Sequence, residues 1–358
     1  MKTRPVSQAC IPALALTILT ATSAAAQNDT ADETGATNYA HRPNTVLKAE
    51  DDSLVVHAAG SGETPVVLIP GHMQDESMYA SLIERNEAAA EYHVVIPPGM
   101  AGTPAYPWPA EAEEFIARPW STRFEEELVR YIDENLDEPP LLLANWYTGL
   151  SMALHIADRH PASVRALLLV GPADRSPYYR WYRQSRDPES RVIYDAEAQR
   201  ERLAGTIEFW RTVDEFTWHS NMFPAPFYSN DPAAGLRVVY EEAKSPMPVG
   251  LRYFAEYMMD DLSGIIPNID VPVHVVSTVP PEEYFRTLFR NGDQLDMDRV
   301  VEGMRAQSRY SWQVDDNPAI DVTVIAETGL MVWHDRPEEF DRVFLRALGG
   351  RAAEEDGR

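Results

Sequence analysis

Seven short apolar runs, rich in β-branched residues and closed by turn signals, recur between residues 53 and 328. They are SLVVHAA (53–59), PVVLIPG (65–71), YHVVIPPG (92–99), PLLLANW (140–146), VRALLLVGP (164–172), VPVHVVST (271–278) and DVTVIAET (321–328). Each predicts a strand. The apolar positions are consecutive rather than alternating, as in strands buried on both faces. Between them the period lengthens to that of helices in MYASLIERNEAAA (78–90), FEEELVRYIDENL (124–136), TGLSMALHIADRHP (148–161) and RPEEFDRVFLRALGG (336–350). In the last of these Pro337 sits near the helix start and Gly349-Gly350 ends it. This alternation predicts an α/β fold with a mostly parallel central sheet flanked by helices.

One stretch interrupts the pattern. Residues 173–265 offer no convincing strand, yet hold 16 of the chain's 35 aromatic residues, among them Tyr178, Trp181, Trp210, Trp218 and Phe227. A helical, aromatic-rich cap inserted into the core explains both facts. Most of its rings then form the cap's own core and the rest line a pocket beneath it. The expected organisation is a core of residues 46–172 and 266–350, the cap at 173–265, and a short tail at 351–358.

The two ends of the core are preceded and followed by different material. Residues 1–26 carry Lys2 and Arg4, the apolar stretch IPALALTILT and Ala24-Ala25-Ala26, which together predict a secretory signal cleaved near Ala26 and a periplasmic or extracellular location. That stretch is well short of the roughly 20 residues a membrane-spanning helix needs, so no membrane insertion is expected. Residues 27–45 are polar, without periodicity, and read as a disordered lead-in. The chain's single cysteine, Cys10, lies inside the signal and precedes its apolar stretch, so neither a lipid anchor nor a disulfide is expected. Without the signal, 29 basic side chains face 56 acidic ones. So acidic a body disfavours nucleic acid and anionic membranes as partners. The sequence leaves the oligomeric state open.

From Val46 to about residue 350 the order of landmarks resembles the α/β-hydrolase superfamily. VVLIPG resembles the strand leading into the oxyanion loop, and VIPPGMAGTP the loop after the next strand. LLLANWYTGLSMALHIADRHPASVRALLLVGP resembles the nucleophile strand, elbow, helix and following strand. IDVPVHVVST and ETGLMVWHDRPEEFDRVFLRAL resemble the strands that carry the acid and the histidine. Matched onto the family's G-x-S-x-G elbow, Asn145-Trp146-Tyr147-Thr148-Gly149 puts Tyr147 in place of the serine. Asn145 replaces the first glycine, as a residue that tolerates unusual backbone angles. The histidine position, after Gly329 and seven residues before Pro337, is Leu330. The acid position falls in Thr278-Val279-Pro280-Pro281, so Pro281 stands near it, and Asp174 is a possible acid one strand earlier. Gly71 and His72 stand where the oxyanion loop belongs, and with Tyr147 and Thr148 they form the expected pocket.

Three function classes follow from this pattern. In the first, the chain is a pseudo-hydrolase that binds a small, partly apolar molecule without chemistry. In the second, it is an ester or amide hydrolase whose nucleophile and base have moved to Thr148 and His334; Ser151 is expected to point along its helix, in a packing role. In the third, Tyr147 and His72 form an acid–base pair for non-hydrolytic chemistry. His155 and His160 are five apart and no H-x-x-x-H occurs, so no metal is expected. No dinucleotide fingerprint is present either, and no cofactor is expected.

Overall fold

The computed structural model describes residues 45–48, 54–107, 117–171 and 225–349, apart from 261, 283, 285–295 and 313. Asp174, most of the expected cap, the signal, the lead-in up to residue 44 and the tail lie outside the described residues; Thr45, expected in the lead-in, belongs to a strand.

Eight strands form one sheet in the order β1-β2-β4-β3-β5-β6-β7-β8. They are β1 (Thr45–Lys48), β2 (Val55–Gly60), β3 (Pro65–Ile69), β4 (Glu91–Ile96), β5 (Leu141–Asn145), β6 (Ala166–Val170), β7 (Val273–Val279) and β8 (Ile320–Ala326). β1 and β2 run antiparallel to their neighbours and the remaining pairs are parallel. Every residue of β3, β5 and β6 is buried, which accounts for their unbroken apolar runs.

Helices flank the sheet. In chain order they are α1 (Ala80–Arg85), α2 (Pro119–Asn135), α3 (Thr148–Arg159), α4 (Ala225–Tyr228), α5 (Pro232–Glu242), α6 (Met247–Met258), α7 (Met297–Ser311), α8 (Val332–Asp335) and α9 (Pro337–Ala347). α3 packs on β5 and β6, α9 on β6 and β7, and α7 on β7 and β8. The part of the 173–265 stretch that is described, from Ala225 onward, contains helices and turns only. No helix among the described residues is long and apolar enough to cross a membrane.

The register brings the carboxyl ends of β3, β5 and β6 level, with Ile69 opposite Ala144 and Asn145 opposite Val170. Ligands of open parallel sheets bind at this edge.

Candidate functional site

At that edge β5 turns sharply into α3 through Trp146 and Tyr147. The Trp146 N–H donates to the Val170 carbonyl (3.0 Å), and the Ser151 N–H already donates to the Tyr147 carbonyl (3.0 Å), so the helix begins at once. Tyr147 bridges the two with φ 50° and ψ −106°. This left-handed conformation is costly for a bulky residue and persists only where its surroundings fix it. Gly149 is part of what fixes it, because a Cβ there would lie 2.6 Å from the Pro70 carbonyl oxygen. The end of β3 can approach the turn only over a glycine.

Rings crowd this turn. The Tyr147 ring stacks on Trp146 (4.2 Å between centroids, 17° between planes) and meets the edge of Tyr257 (5.0 Å). Trp146 packs against Phe227 (4.3 Å), and Phe254 lies beside both Tyr147 (6.5 Å) and His72 (6.1 Å). Burial pushes the His72 imidazole down to about 4, so the ring is neutral at ordinary pH. Its Nδ1 has no hydrogen-bond partner among the described residues. The buried Thr148 hydroxyl has none either, and no side chain caps the first turn of α3. A helix start without a side-chain cap can hold a carbonyl or carboxylate oxygen.

No protein-family model and no curated protein matches the chain. Solved structures do. MGS-M2, an α/β hydrolase enzyme from a Medee basin deep-sea metagenome, aligns over 87% of this chain and 100% of its own, at 12% identity and a TM-score of 0.58. The esterase EaEST from Exiguobacterium antarcticum aligns over 85% and 99%, at 17% identity and a TM-score of 0.55. A thermophilic esterase from Thermogutta terrifontis aligns over 82% and 93%, at 18% identity and a TM-score of 0.53. The chain has the α/β-hydrolase fold. At such identities the likeness speaks for the fold alone.

In an α/β-hydrolase fold the strand-to-helix turn after β5 is the elbow, and Tyr147 stands in it. Asn145 plays a different part from the one expected of it. It keeps strand geometry as the last residue of β5, and the positive φ belongs to Tyr147 instead. The Asn145 Nδ2 donates to Gln74 Oε1 (3.2 Å), so its amide serves a buried hydrogen bond rather than an unusual backbone angle. Leu330, in the loop after β8, is 3% exposed and donates its N–H to the Phe227 carbonyl (3.0 Å). Pro281 follows β7 and its carbonyl accepts from the Tyr284 N–H (3.0 Å).

The candidate substitutes are scattered. His334 Nε2 lies 3.3 Å from Asp231 Oδ2 in a partly exposed pair at the start of α5. Ser151 donates to Asp260 and accepts from Arg118 Nη2 (3.2 Å). No hydrogen bond joins His72 to Tyr147; the Phe254 ring lies beside each of them. Gly71 and His72 do adjoin the elbow, since a Cβ on Gly71 would come 3.2 Å from the Trp146 carbonyl oxygen. Among the described residues no group of three or more His, Cys, Asp or Glu is placed to hold a metal.

Sequence reasoning missed a buried polar network beside the elbow. The Gln74 Oε1 accepts from the Gly71 N–H (3.0 Å) as well as from Asn145, and the Gln74 side chain lies near enough to Glu242 to pull its carboxyl down. Tyr228 Oη lies 2.7 Å from each oxygen of Glu242. A signal existed. Ala234, Val238 and Glu242 recur at four-residue spacing on the buried face of α5, and a glutamate in such a row is out of pattern.

Proposed function

We propose that this protein is an exported pseudo-hydrolase: it binds a small, partly apolar molecule at the carboxyl edge of its sheet and forms no acyl-enzyme. The observation that carries this reading is Tyr147 itself, held at φ 50° in the elbow with its ring stacked on Trp146. A phenol, with an unperturbed pKa of about 10, is a weak nucleophile at neutral pH, and its ring occupies space that an attacked carbonyl would need. Leu330, buried in the loop after β8, has no group that could take a proton. What remains suits binding: aromatic faces at Tyr147, Trp146, Phe254 and Tyr257, a neutral His72, and the uncapped N-terminal turn of α3. Export rests on the pattern of the first 26 residues.

The relocated hydrolase finds little support. His334 is engaged with Asp231, and the buried Thr148 hydroxyl has no hydrogen-bond partner among the described residues. Exposure of the protein without its signal to a fluorophosphonate and to short- and medium-chain activated esters tests the proposal. The expected result is no stoichiometric label and ester turnover no greater than that of heat-denatured protein. Stoichiometric labelling together with turnover that survives Tyr147→Phe would overturn it in favour of a moved nucleophile.

A further inference from the structure

Glu242 is 2% exposed, and among the described residues no Lys, Arg or His pairs with it. Its polar neighbours come from two packed elements: Tyr228 of α4, and Gln74 of the loop after β3. Behind Tyr228 stand Tyr147 of the elbow and Tyr284 after β7, both close enough to influence its phenol. The flanking charges are Asp75 beside Gln74, and Glu241 and Lys244 beside Glu242 in the chain. Lys244 pairs with Glu241 and lies 3.6 Å from Asp75, so these charges answer one another.

The geometry at Glu242 suits an uncharged carboxyl. Tyr228 is within 2.7 Å of both carboxyl oxygens, and one phenol proton fills both contacts only as a shared, weaker bond. A proton on the carboxyl gives the second contact its own bond. Burial acts in the same direction, pushing Glu242 up to about 8 against the opposing pull of Tyr228 and Gln74.

Gln74 then carries the state of Glu242 to the site. One amide oxygen takes both the Gly71 N–H and the Asn145 amide, so the NH₂ is the end of Gln74 that is left to answer the nearby carboxyl. A Cβ at Gly71 would sit 2.6 Å from that oxygen, so amide and loop backbone already touch. The same amide therefore fixes the loop that bears His72 against the strand end that bears Tyr147.

We propose that Glu242 is a positioning residue for the ligand site, and that its ionisation, by leaving an unpaired charge behind Gln74, uncouples the His72 loop from the elbow. The word ligand rests on the function proposed above; the coupling can be read without any ligand. Hydrogen exchange of the full chain, followed by mass spectrometry from about pH 6 to about pH 9.5 and normalised to intrinsic rates, reports protection of the segment 71–78. In the wild type, protection should fall about tenfold per pH unit up to about pH 8, the slope of a single proton, and level off above it. Glu242→Gln, which stays neutral, should hold protection flat. Tyr228→Phe removes a bond that favours the ionised form, so the decline should run on to higher pH before levelling off. Flat protection in the wild type, an equal loss in Glu242→Gln, or a shift to lower pH in Tyr228→Phe would each overturn the proposal. Should Glu242→Gln fail to fold, the wild-type titration and the direction of the Tyr228→Phe shift still decide. Failure of the pseudo-hydrolase reading would appear in the labelling assay and leave these exchange curves unchanged.

Discussion

Tyr147 concentrates the contradiction of this protein in one residue. A left-handed backbone at a non-glycine position costs of the order of 1–3 kcal/mol and is usually kept where it serves a site. Here it is kept under a side chain unsuited to nucleophilic attack. The neighbouring glycine enforces it, so Gly149→Ala should cost about 1–3 kcal/mol through overpacking against the Pro70 carbonyl. Gly264→Ala, where an added Cβ meets nothing within 4 Å, should change stability by less than about 0.5 kcal/mol. Chemical denaturation of the two variants reads the difference. Tyr147 could be placed from the sequence because LLLA before it and the helix after it have fixed lengths. Glu242 was hidden for the opposite reason: in a chain with 56 acidic residues, one more glutamate looks like surface until its spacing with Ala234 and Val238 is noticed.

The elements divide in the same way. Strands buried on both faces announce themselves by apolar runs; all seven that the pattern predicts are present, although β2 and β8 are only partly buried, against the expectation. The eighth, Thr45–Lys48, escaped because it is a four-residue edge strand held only by β2. α7 escaped as well, since MDRVVEGMRAQSRYS mixes charge with few apolar positions. Joints between elements were less legible still. Arg118, in a left-handed conformation before α2, donates to Glu125 (2.7 Å) and faces Asp260 after α6 (3.5 Å). Asp260 also receives Ser151 and His155 of α3, so one buried carboxylate joins three helices. Such a joint depends on contacts far apart in sequence, and no periodicity encodes it. Removing the guanidinium in Arg118→Ala should cost about 3–5 kcal/mol by leaving buried carboxylates short of a partner, measurable by urea denaturation.

For the whole molecule, these two carboxyls set opposite limits in pH. Burial alone would raise Asp260, but Arg118, His155 and Ser151 outweigh it and hold the carboxyl below its ordinary 3.8. The stability it contributes is complete above that value and is lost as pH falls through the depressed one. Glu242 works the other way. The folded chain keeps its proton up to about 8, against 4.5 for the ordinary carboxyl, so stability declines as pH rises between those values. Thermal unfolding should therefore show greatest stability in mild acid. Glu242→Gln should flatten the alkaline limb and leave the acid limb in place, whereas equal alkaline decline in both proteins would assign that limb to the general repulsion of a chain with a net charge of −25.

Leu330, in the loop after β8, helps to make a seam. Its N–H is bonded to the Phe227 carbonyl (3.0 Å) and the next N–H, that of Met331, to the Tyr228 carbonyl (2.7 Å), so α4 is stitched to the loop after β8. A seam of this kind parts by local unfolding, not by rotation of a single side chain. Were the ligand of the proposed site held beside Phe227, its exchange would be timed by that opening instead of by diffusion.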